Sequence, residues 1–141
     1  THKLRPNNMT IYILRSKSGA GKSFLTDKLL ALPNSLAVSA DDYFMVDGEY
    51  RFDVRSLSAA HRDCQIKFFN ALNNKTHENV IVNNTNTKEK DWKYYEDTAK
   101  SFGADVIFLV VENRHGGSNV HNVPQETLDR QENSIKMSLC L

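Results

Sequence analysis

The chain has 141 residues, a length that fits one domain and is enough to bury a hydrophobic core. Hydrophobic residues make up 40% and charged residues 25% of it, the balance of an ordinary globular protein, which argues against extensive disorder. The formal net charge is +1, so overall charge does not indicate a nucleic-acid partner, and any basic binding surface has to be local.

The two cysteines, Cys64 and Cys140, are too far apart in the sequence to form a CxxC metal or redox motif. We therefore expect two reduced thiols in a cytoplasmic protein. No apolar run approaches the roughly 18 residues of a transmembrane helix, and no signal-peptide pattern is present. We expect a single domain over residues 9–141, with residues 1–8 as a disordered or cloning-derived extension.

Short apolar runs alternate with longer amphipathic stretches in the first half of the chain. Residues 10–14 form a β-branched and aromatic run that is typical of a buried strand. A helix is predicted over residues 24–32, where Pro33 ends it, and a second short strand is predicted over residues 36–40. A loop that contains Gly48 follows.

The second half of the chain repeats this alternation. A helix is predicted over residues 57–72, where apolar residues recur at helical spacing. A third strand over residues 79–83 leads to a helix over residues 87–102, with Thr87 as its cap and Lys90 where a capping box has Glu.

The last predicted strand, residues 105–111, contains six consecutive apolar residues and suits a strand that is covered on both faces. Gly103 before it is a natural residue for the end of a helix, and Pro124 after it is predicted to open a last helix. Strands that alternate with helices predict an α/β fold, a parallel β-sheet sandwiched between α-helices.

The strongest chemical signal is Gly-Ala-Gly-Lys-Ser at residues 19–23, between the first strand and the first helix. Glycines let backbone N–H groups close around phosphate oxygens, and the helix N-terminus adds partial positive charge. In the motif G-x-x-x-x-G-K-[ST], Lys22 reaches the β- and γ-phosphates of ATP, and the Ser23 hydroxyl ligates Mg²⁺.

Ser16 stands where this motif has its first glycine, and the alternative interpretation is a chance glycine-rich turn with a surface lysine. We expect ATP and Mg²⁺ as cofactors. The predicted nucleotide-binding residues are consecutive: Ser18, Gly19, Ala20, Gly21, Lys22, Ser23 and Phe24.

Further short motifs follow the phosphate loop in a fixed order: Ser-Ala-Asp-Asp-Tyr-Phe (39–44), Tyr-Arg-Phe-Asp (50–53), Ala-His (60–61), Asn-Asn-Thr-Asn (83–86) and His-Asn-Val-Pro (121–124). Together they resemble the polynucleotide-kinase-like group of P-loop kinases, from about Met9 to the end of the chain. The resemblance implies the kinase-type P-loop NTPase fold, ATP as donor, Mg²⁺, and an alcohol acceptor, often a nucleic-acid 5′-hydroxyl.

The resemblance also implies roles for individual residues. Asp41 matches the family's general base beside the acceptor hydroxyl, at the carboxyl end of the second strand, where open α/β sheets bind ligands. The alternative is an aspartate that caps a turn. Arg114 lies where the family has a mobile lid with arginines, and a surface arginine in a loop is the competing interpretation. The implied catalytic set is thus Asp41, Lys22 and Arg114.

The implied substrate-binding set is Asp41, Asn84 and His61, although His61 is also interpreted as a core or cleft-wall histidine. Three positions depart from the family pattern: Ser16, Phe44 in place of an arginine, and Asn83-Asn84 where an acidic residue is frequent. The lead hypothesis is an ATP-dependent kinase of polynucleotide 5′-hydroxyls. The alternatives are a kinase for a nucleoside, a modified base or a small alcohol, and a nucleotide-binding module without catalysis.

Overall fold

A computed structural model of the chain describes residues 9–17, 21–111, 125–127, 129–131 and 135. The predicted alternation of strands and helices is confirmed, and residues 125–127, 129–131 and 135 are also helical. In chain order the elements are β1 (Thr10–Arg15), α1 (Lys22–Leu29), β2 (Ser35–Val38), β3 (Met45–Val46), β4 (Glu49–Tyr50), α2 (Leu57–Asn73), β5 (Asn79–Val82), α3 (Glu89–Ser101) and β6 (Asp105–Val110).

The central sheet is parallel and has the strand order β2-β5-β1-β6. The chain passes from β1 to β2 in one direction across the sheet, and from β5 to β6 in the other. Because such crossovers are right-handed, α1 and α3 lie on opposite faces of the sheet. The winding therefore reverses at the neighbouring strands β1 and β5, and open α/β sheets bind ligands at the carboxyl ends of such strands.

Helices α2 and α3 cover one face of this sheet and form the main core with it. The ring of Phe68 in α2 packs edge-on against that of Tyr95 in α3, with the centroids 5.0 Å apart. The helical spacing predicted over residues 57–72 is confirmed for most of its apolar positions, whereas Leu57 is exposed. The buried residues of α2 are Ala60, Cys64, Phe68, Ala71 and Leu72.

Strand β6 does not have the two covered faces that its apolar sequence predicts. Ile107 keeps 41%, Phe108 36% and Val110 39% of the residue surface exposed. In the described part of the chain β6 pairs only with β1, so it lies at the edge of the sheet. An edge position leaves less of a strand covered than a central one, which explains the difference.

The segment around Gly48 is a β-hairpin of β3 and β4 and not an irregular loop. Asp47 and Gly48 both have positive φ, 52° and 81°, as a two-residue Asp-Gly turn requires. The Asp-Gly dipeptide next to apolar residues is the sequence signal for this hairpin.

The ends of two helices also differ from the predictions. Helix α1 ends at Leu29, and residues 30–32 form a turn and a bend before Pro33. A residue that precedes a proline disfavours the helical conformation, which explains why the helix ends before residue 32. Helix α3 has Lys88, not Thr87, as its cap, and the carboxylate of Asp91 accepts a hydrogen bond from the Lys88 N–H at 3.1 Å. Because the cap is one residue later than predicted, Asp91 and not Lys90 occupies the capping-box position.

Gly103 and Pro124 were predicted to lie at the ends of helices. Gly103 has a φ of 73° directly after α3, as predicted. Pro124 lies outside the described residues, so its place at the start of a helix stays a prediction.

Among the helices that the structure describes, none combines the length and apolarity needed to cross a membrane.

Phe68 is fully buried, whereas its neighbour Phe69 keeps 41% of its surface exposed. We expect Phe68→Ala to lower the free energy of unfolding by about 3–5 kcal/mol, because it removes a core ring and leaves a cavity. Phe69→Ala is the matched control and should cost clearly less. Urea unfolding of both variants measures the difference, and equal losses would contradict the described core.

Candidate nucleotide and acceptor site

The carboxyl end of β1 leads into the predicted phosphate loop. Ser18, Gly19 and Ala20 lie outside the described residues, so their nucleotide contacts stay predictions. Gly21 has a φ of 95°, and nothing lies within 4 Å of where a Cβ would be. The backbone conformation rather than crowding therefore requires glycine at this position.

Helix α1 begins directly after Gly21, and its first N–H groups have no acceptor within the helix. The cap residue Gly21 has no side chain to satisfy them, and the first turn carries no acidic residue. Ser23 is exposed in this turn, as is Phe24, whose ring centroid lies 5.3 Å from the Lys28 ammonium. The end of α1 thus keeps the partial positive charge that attracts phosphate groups.

Lys22 in the same turn is partly buried. Burial lowers the pKa of its ammonium group, and the carboxylate of Asp41 acts in the opposite direction. Two residues that are far apart along the chain are therefore close enough to interact electrostatically. Lys22 and Asp41 follow the carboxyl ends of the parallel strands β1 and β2, so both lie at the same end of the sheet.

Asp41 lies in a 3-10 turn, Ala40–Phe44, which follows β2 and shortens the strand predicted over residues 36–40. The Ser39 hydroxyl accepts a hydrogen bond from the Asp41 N–H at 3.1 Å and caps this turn. The capping function that was the alternative role of Asp41 is thus carried by Ser39. The Asp41 side chain itself is exposed.

Tyr50 in β4 donates its hydroxyl to Oδ1 of Asp41 at 3.2 Å. Burial, and then the negative charge of Asp41, raise the pKa of Tyr50 to about 12. Tyr50 therefore remains a hydrogen-bond donor at neutral pH. The neighbouring Asp42 is in a different environment, where partial burial raises its pKa and the Lys67 ammonium opposes this.

Asn84 lies after β5, the strand between β2 and β1, and its side chain is buried. Its Oδ1 accepts a hydrogen bond from the Ala40 N–H at 2.9 Å, and its Nδ2 donates to Sγ of Cys64 at 3.6 Å. Asn84 therefore ties the turn that carries Asp41 to helix α2. An amide has one more donor and one more lone pair, so the predicted substrate contact of Asn84 stays a prediction.

A buried network around Arg15 was missed by the sequence analysis. The Arg15 guanidinium donates to the backbone carbonyls of Asn86, at 2.8 Å, and Thr87, at 2.9 Å. It also lies 5.5 Å from the ring centroid of Trp92. The Asn86 amide donates to the Leu14 carbonyl at 2.8 Å, so the loop after β5 is bonded to the end of β1. The repeated asparagines at residues 83–86 are the only sequence signal for this network.

The remaining predicted site residues have different outcomes. His61 is exposed on α2, so it is not a core residue, while its place in a cleft wall and its contact with an acceptor stay predictions. Arg114 and the His121 landmark lie outside the described residues.

No protein-family model matches the chain. The human protein NEDD4-binding protein 2 is 30% identical over an alignment of 130 residues that takes in 86% of this chain and 7% of that protein. The chain therefore resembles a small part of a much longer protein.

Solved structures with similar folds include a chain of the Pnkp1/Rnl/Hen1 RNA repair complex, with a TM-score of 0.73 and 17% identity, matched over 95% of this chain and 46% of that one. The APS kinase CysC of Mycobacterium tuberculosis has a TM-score of 0.54 and 15% identity, over 95% of this chain and 99% of that one. The chain has an α/β P-loop fold. At these identities the similarity shows the fold and not the activity.

Asn84→Ala removes the acceptor of the buried Ala40 N–H. We expect it to lower the free energy of unfolding by about 1–3 kcal/mol, the cost of leaving a buried donor unsatisfied. Asn83→Ala is the control, since the buried Oδ1 of Asn83 has no hydrogen-bond partner in the described structure. If urea unfolding shows equal losses for both variants, the anchoring role of Asn84 is wrong.

Proposed function

We propose that this chain is an ATP-dependent kinase that transfers the γ-phosphoryl group of ATP to a hydroxyl, most favourably the 5′-hydroxyl of a polynucleotide. The observation that carries this proposal is the position of Asp41, which lies close enough to Lys22 to act on its charge and whose Oδ1 accepts a hydrogen bond from the Tyr50 hydroxyl at 3.2 Å. A phosphate-binding helix end alone fits any nucleotide-binding protein. A carboxylate beside it, held by a tyrosine, is the additional group that a phosphotransferase needs to activate an alcohol.

The residues at the start of α1 fit the triphosphate of ATP. The uncapped N–H groups of the first turn and the Lys22 ammonium are donors of the kind that bind phosphate oxygens. Desolvation of Lys22 strengthens its attraction to an anion, because less water competes for the charge. Ser18, Gly19, Ala20 and Phe24 complete the proposed nucleotide site.

The residues present also fit Mg²⁺, provided that the nucleotide shares in holding it. The described residues contain no group of three or more His, Cys, Asp or Glu side chains that could hold a metal ion by themselves. Mg²⁺ is typically held by one or two protein groups together with substrate phosphates and water. The Ser23 hydroxyl is the proposed protein ligand. When bound, the ion neutralises negative charge on the phosphates.

The proposed role of Asp41 is to accept the proton of the acceptor hydroxyl. The hydroxyl oxygen forms a bond to the γ-phosphorus, the bond from this phosphorus to the β–γ bridging oxygen breaks, and ADP leaves. The proton of the hydroxyl passes to the Asp41 carboxylate. Tyr50 binds Oδ1 of Asp41 and so orients the carboxylate. Arg114 is proposed as a further cation that stabilises charge on the transferred group.

A polynucleotide is favoured as acceptor by the similarity in fold to a chain of an RNA repair complex. The similarity to APS kinase keeps a small-molecule hydroxyl as the second candidate. Transfer of label from γ-labelled ATP to 5′-hydroxyl RNA, 5′-hydroxyl DNA, nucleosides and sugars separates the two. A chain that binds ATP but labels none of these acceptors would be a nucleotide-binding module without catalysis.

Replacing Asp41 tests the general base. We expect Asp41→Asn to lower kcat by about 10²–10⁴-fold, the usual contribution of general-base assistance, with ATP affinity nearly unchanged. Asp42→Asn is the matched control and should do much less, because the Asp42 carboxylate interacts with Lys67. Steady-state phosphorylation and calorimetric ATP binding provide the two measurements. Normal turnover of the Asp41 variant, or loss of its ATP binding, contradicts the assignment.

Replacing Lys22 tests the phosphate site. We expect Lys22→Ala to abolish phosphoryl transfer and to leave the folded structure intact, because the ammonium group acts on phosphate charge and not on core packing. Lys28→Ala, at the other end of α1, removes the same charge from the same helix and should leave the transfer largely unchanged. Circular dichroism checks the fold of both variants. Wild-type turnover of Lys22→Ala would refute the phosphate-loop assignment.

A further inference from the structure

A cavity of about 260 Å³ lies where the loop after β5 and the first turn of α3 meet the helical residues 125–127 and 129–131. Three cationic side chains line it, Lys88, Lys90 and Arg130. The threonines Thr87 and Thr127 add hydroxyl groups. The cavity is therefore polar and is built from two separate parts of the chain.

The positive charge in this cavity exceeds the negative charge. Asp91 is the acidic residue in the lining, and its Oδ2 already accepts hydrogen bonds from the Lys88 N–H at 3.1 Å and from the Thr87 hydroxyl at 3.5 Å. Arg130 donates a hydrogen bond to the Thr127 hydroxyl at 3.2 Å. Three cations thus face one carboxylate that is occupied in capping α3.

The lysines further along α3 are paired with acidic side chains. Lys93 forms ion pairs with Glu96 and Asp97, and Lys100 pairs with Glu96. Lys88 and Lys90 form no ion pair with any residue that the structure describes. Among the lysines of α3 and its cap, those without such an ion pair are therefore the two that line the cavity.

The cavity is joined to the phosphate loop by backbone contacts. Thr85 lines the cavity, and its carbonyl accepts a hydrogen bond from the Ser16 N–H at 2.9 Å. The Arg15 guanidinium holds the carbonyls of Asn86 and Thr87 in the same loop. A group bound in the cavity is therefore held in a constant position relative to the end of β1.

We infer that this cavity is an anion subsite that binds a backbone phosphodiester of a single-stranded polynucleotide acceptor. The inference rests on the proposed function, since it assigns the cavity to the acceptor of that reaction. The donor triphosphate has its own N–H groups at α1, which lies on the opposite face of the sheet from α3. The volume of about 260 Å³ leaves room for a phosphate group and the sugar atoms next to it.

A binding experiment tests the subsite without relying on catalysis. Fluorescence anisotropy measures the affinity of the chain for labelled 5′-hydroxyl RNA and DNA ten-mers. We expect Lys88→Gln, Lys90→Gln and Arg130→Gln each to weaken binding by roughly three- to tenfold, and to reduce the slope of log K against log salt by about 0.7 for each lost phosphate contact.

Lys100→Gln is the matched control, because it removes the same charge from the last turn of α3, outside the cavity. We expect its affinity and salt slope to equal those of the wild type. Equal weakening by Lys100→Gln and by the cavity variants would show that only overall charge matters. Wild-type affinity in all three cavity variants would likewise overturn the subsite.

Kinetics then identify the substrate that supplies the phosphate. The cavity variants should raise KM for an oligonucleotide acceptor and leave kcat, KM for ATP and KM for a nucleoside acceptor unchanged. A neutral methylphosphonate at the one linkage that enters the cavity should abolish the difference between wild type and variants. A rise in KM for ATP instead would assign the cavity to the donor and overturn the inference.

The two proposals fail in distinguishable ways. Cavity-dependent binding of oligonucleotides without transfer of label to any acceptor supports the subsite and refutes the kinase. Normal phosphorylation of oligonucleotides, with KM independent of Lys88, Lys90 and Arg130, supports the kinase and refutes the subsite.

Discussion

The site depends on one constraint: the loop after β5 is bonded to the carboxyl ends of both strands beside it. On one side Asn84 accepts the Ala40 N–H, which positions the turn of Asp41. On the other side the Thr85 carbonyl accepts the Ser16 N–H, and the Asn86 amide donates to Leu14. Because β5 lies between β2 and β1, the loop after β5 can fix the position of the candidate base relative to the phosphate loop.

The two hydrogen bonds of the Asn84 side chain explain why an asparagine suits this position. An acidic residue is frequent at this motif in the polynucleotide-kinase-like group that the sequence resembles, and Asn83-Asn84 departs from that pattern. The buried side chain here accepts a hydrogen bond from a backbone N–H on one side and donates one to a thiol sulfur on the other. An amide does both, whereas an ionised carboxylate only accepts and would add the cost of a buried charge. The departure therefore suits the local geometry.

The sequence predicted those features whose signals are local. Helical spacing located α2 and most of its buried residues, and the glycine–lysine motif located the turn into α1. The position of Asp41 after the second strand was also evident from the chain. The Asp-Gly turn at Gly48 carried a local signal as well, and that signal was overlooked.

Features that depend on long-range contacts were not predictable in the same way. Arg15 contacts a carbonyl 71 residues further along the chain, and no spacing pattern indicates such a partner. The exposure of Phe108 depends on the edge position of β6, which follows from strand order and not from the apolar run itself. The cavity at Lys88 and Arg130 likewise requires that two distant segments meet.

The sheet order has a consequence for synthesis on the ribosome. Strand β1 is made before its neighbours β5 and β6, which end at Val82 and Val110, so its pairing is complete only after most of the described elements have been translated. Until then its apolar residues have no sheet to enter, and such late, non-local pairing leaves a nascent chain prone to aggregation. The proposed phosphate loop follows β1 directly, so we expect the proposed nucleotide binding only after β6 has been made.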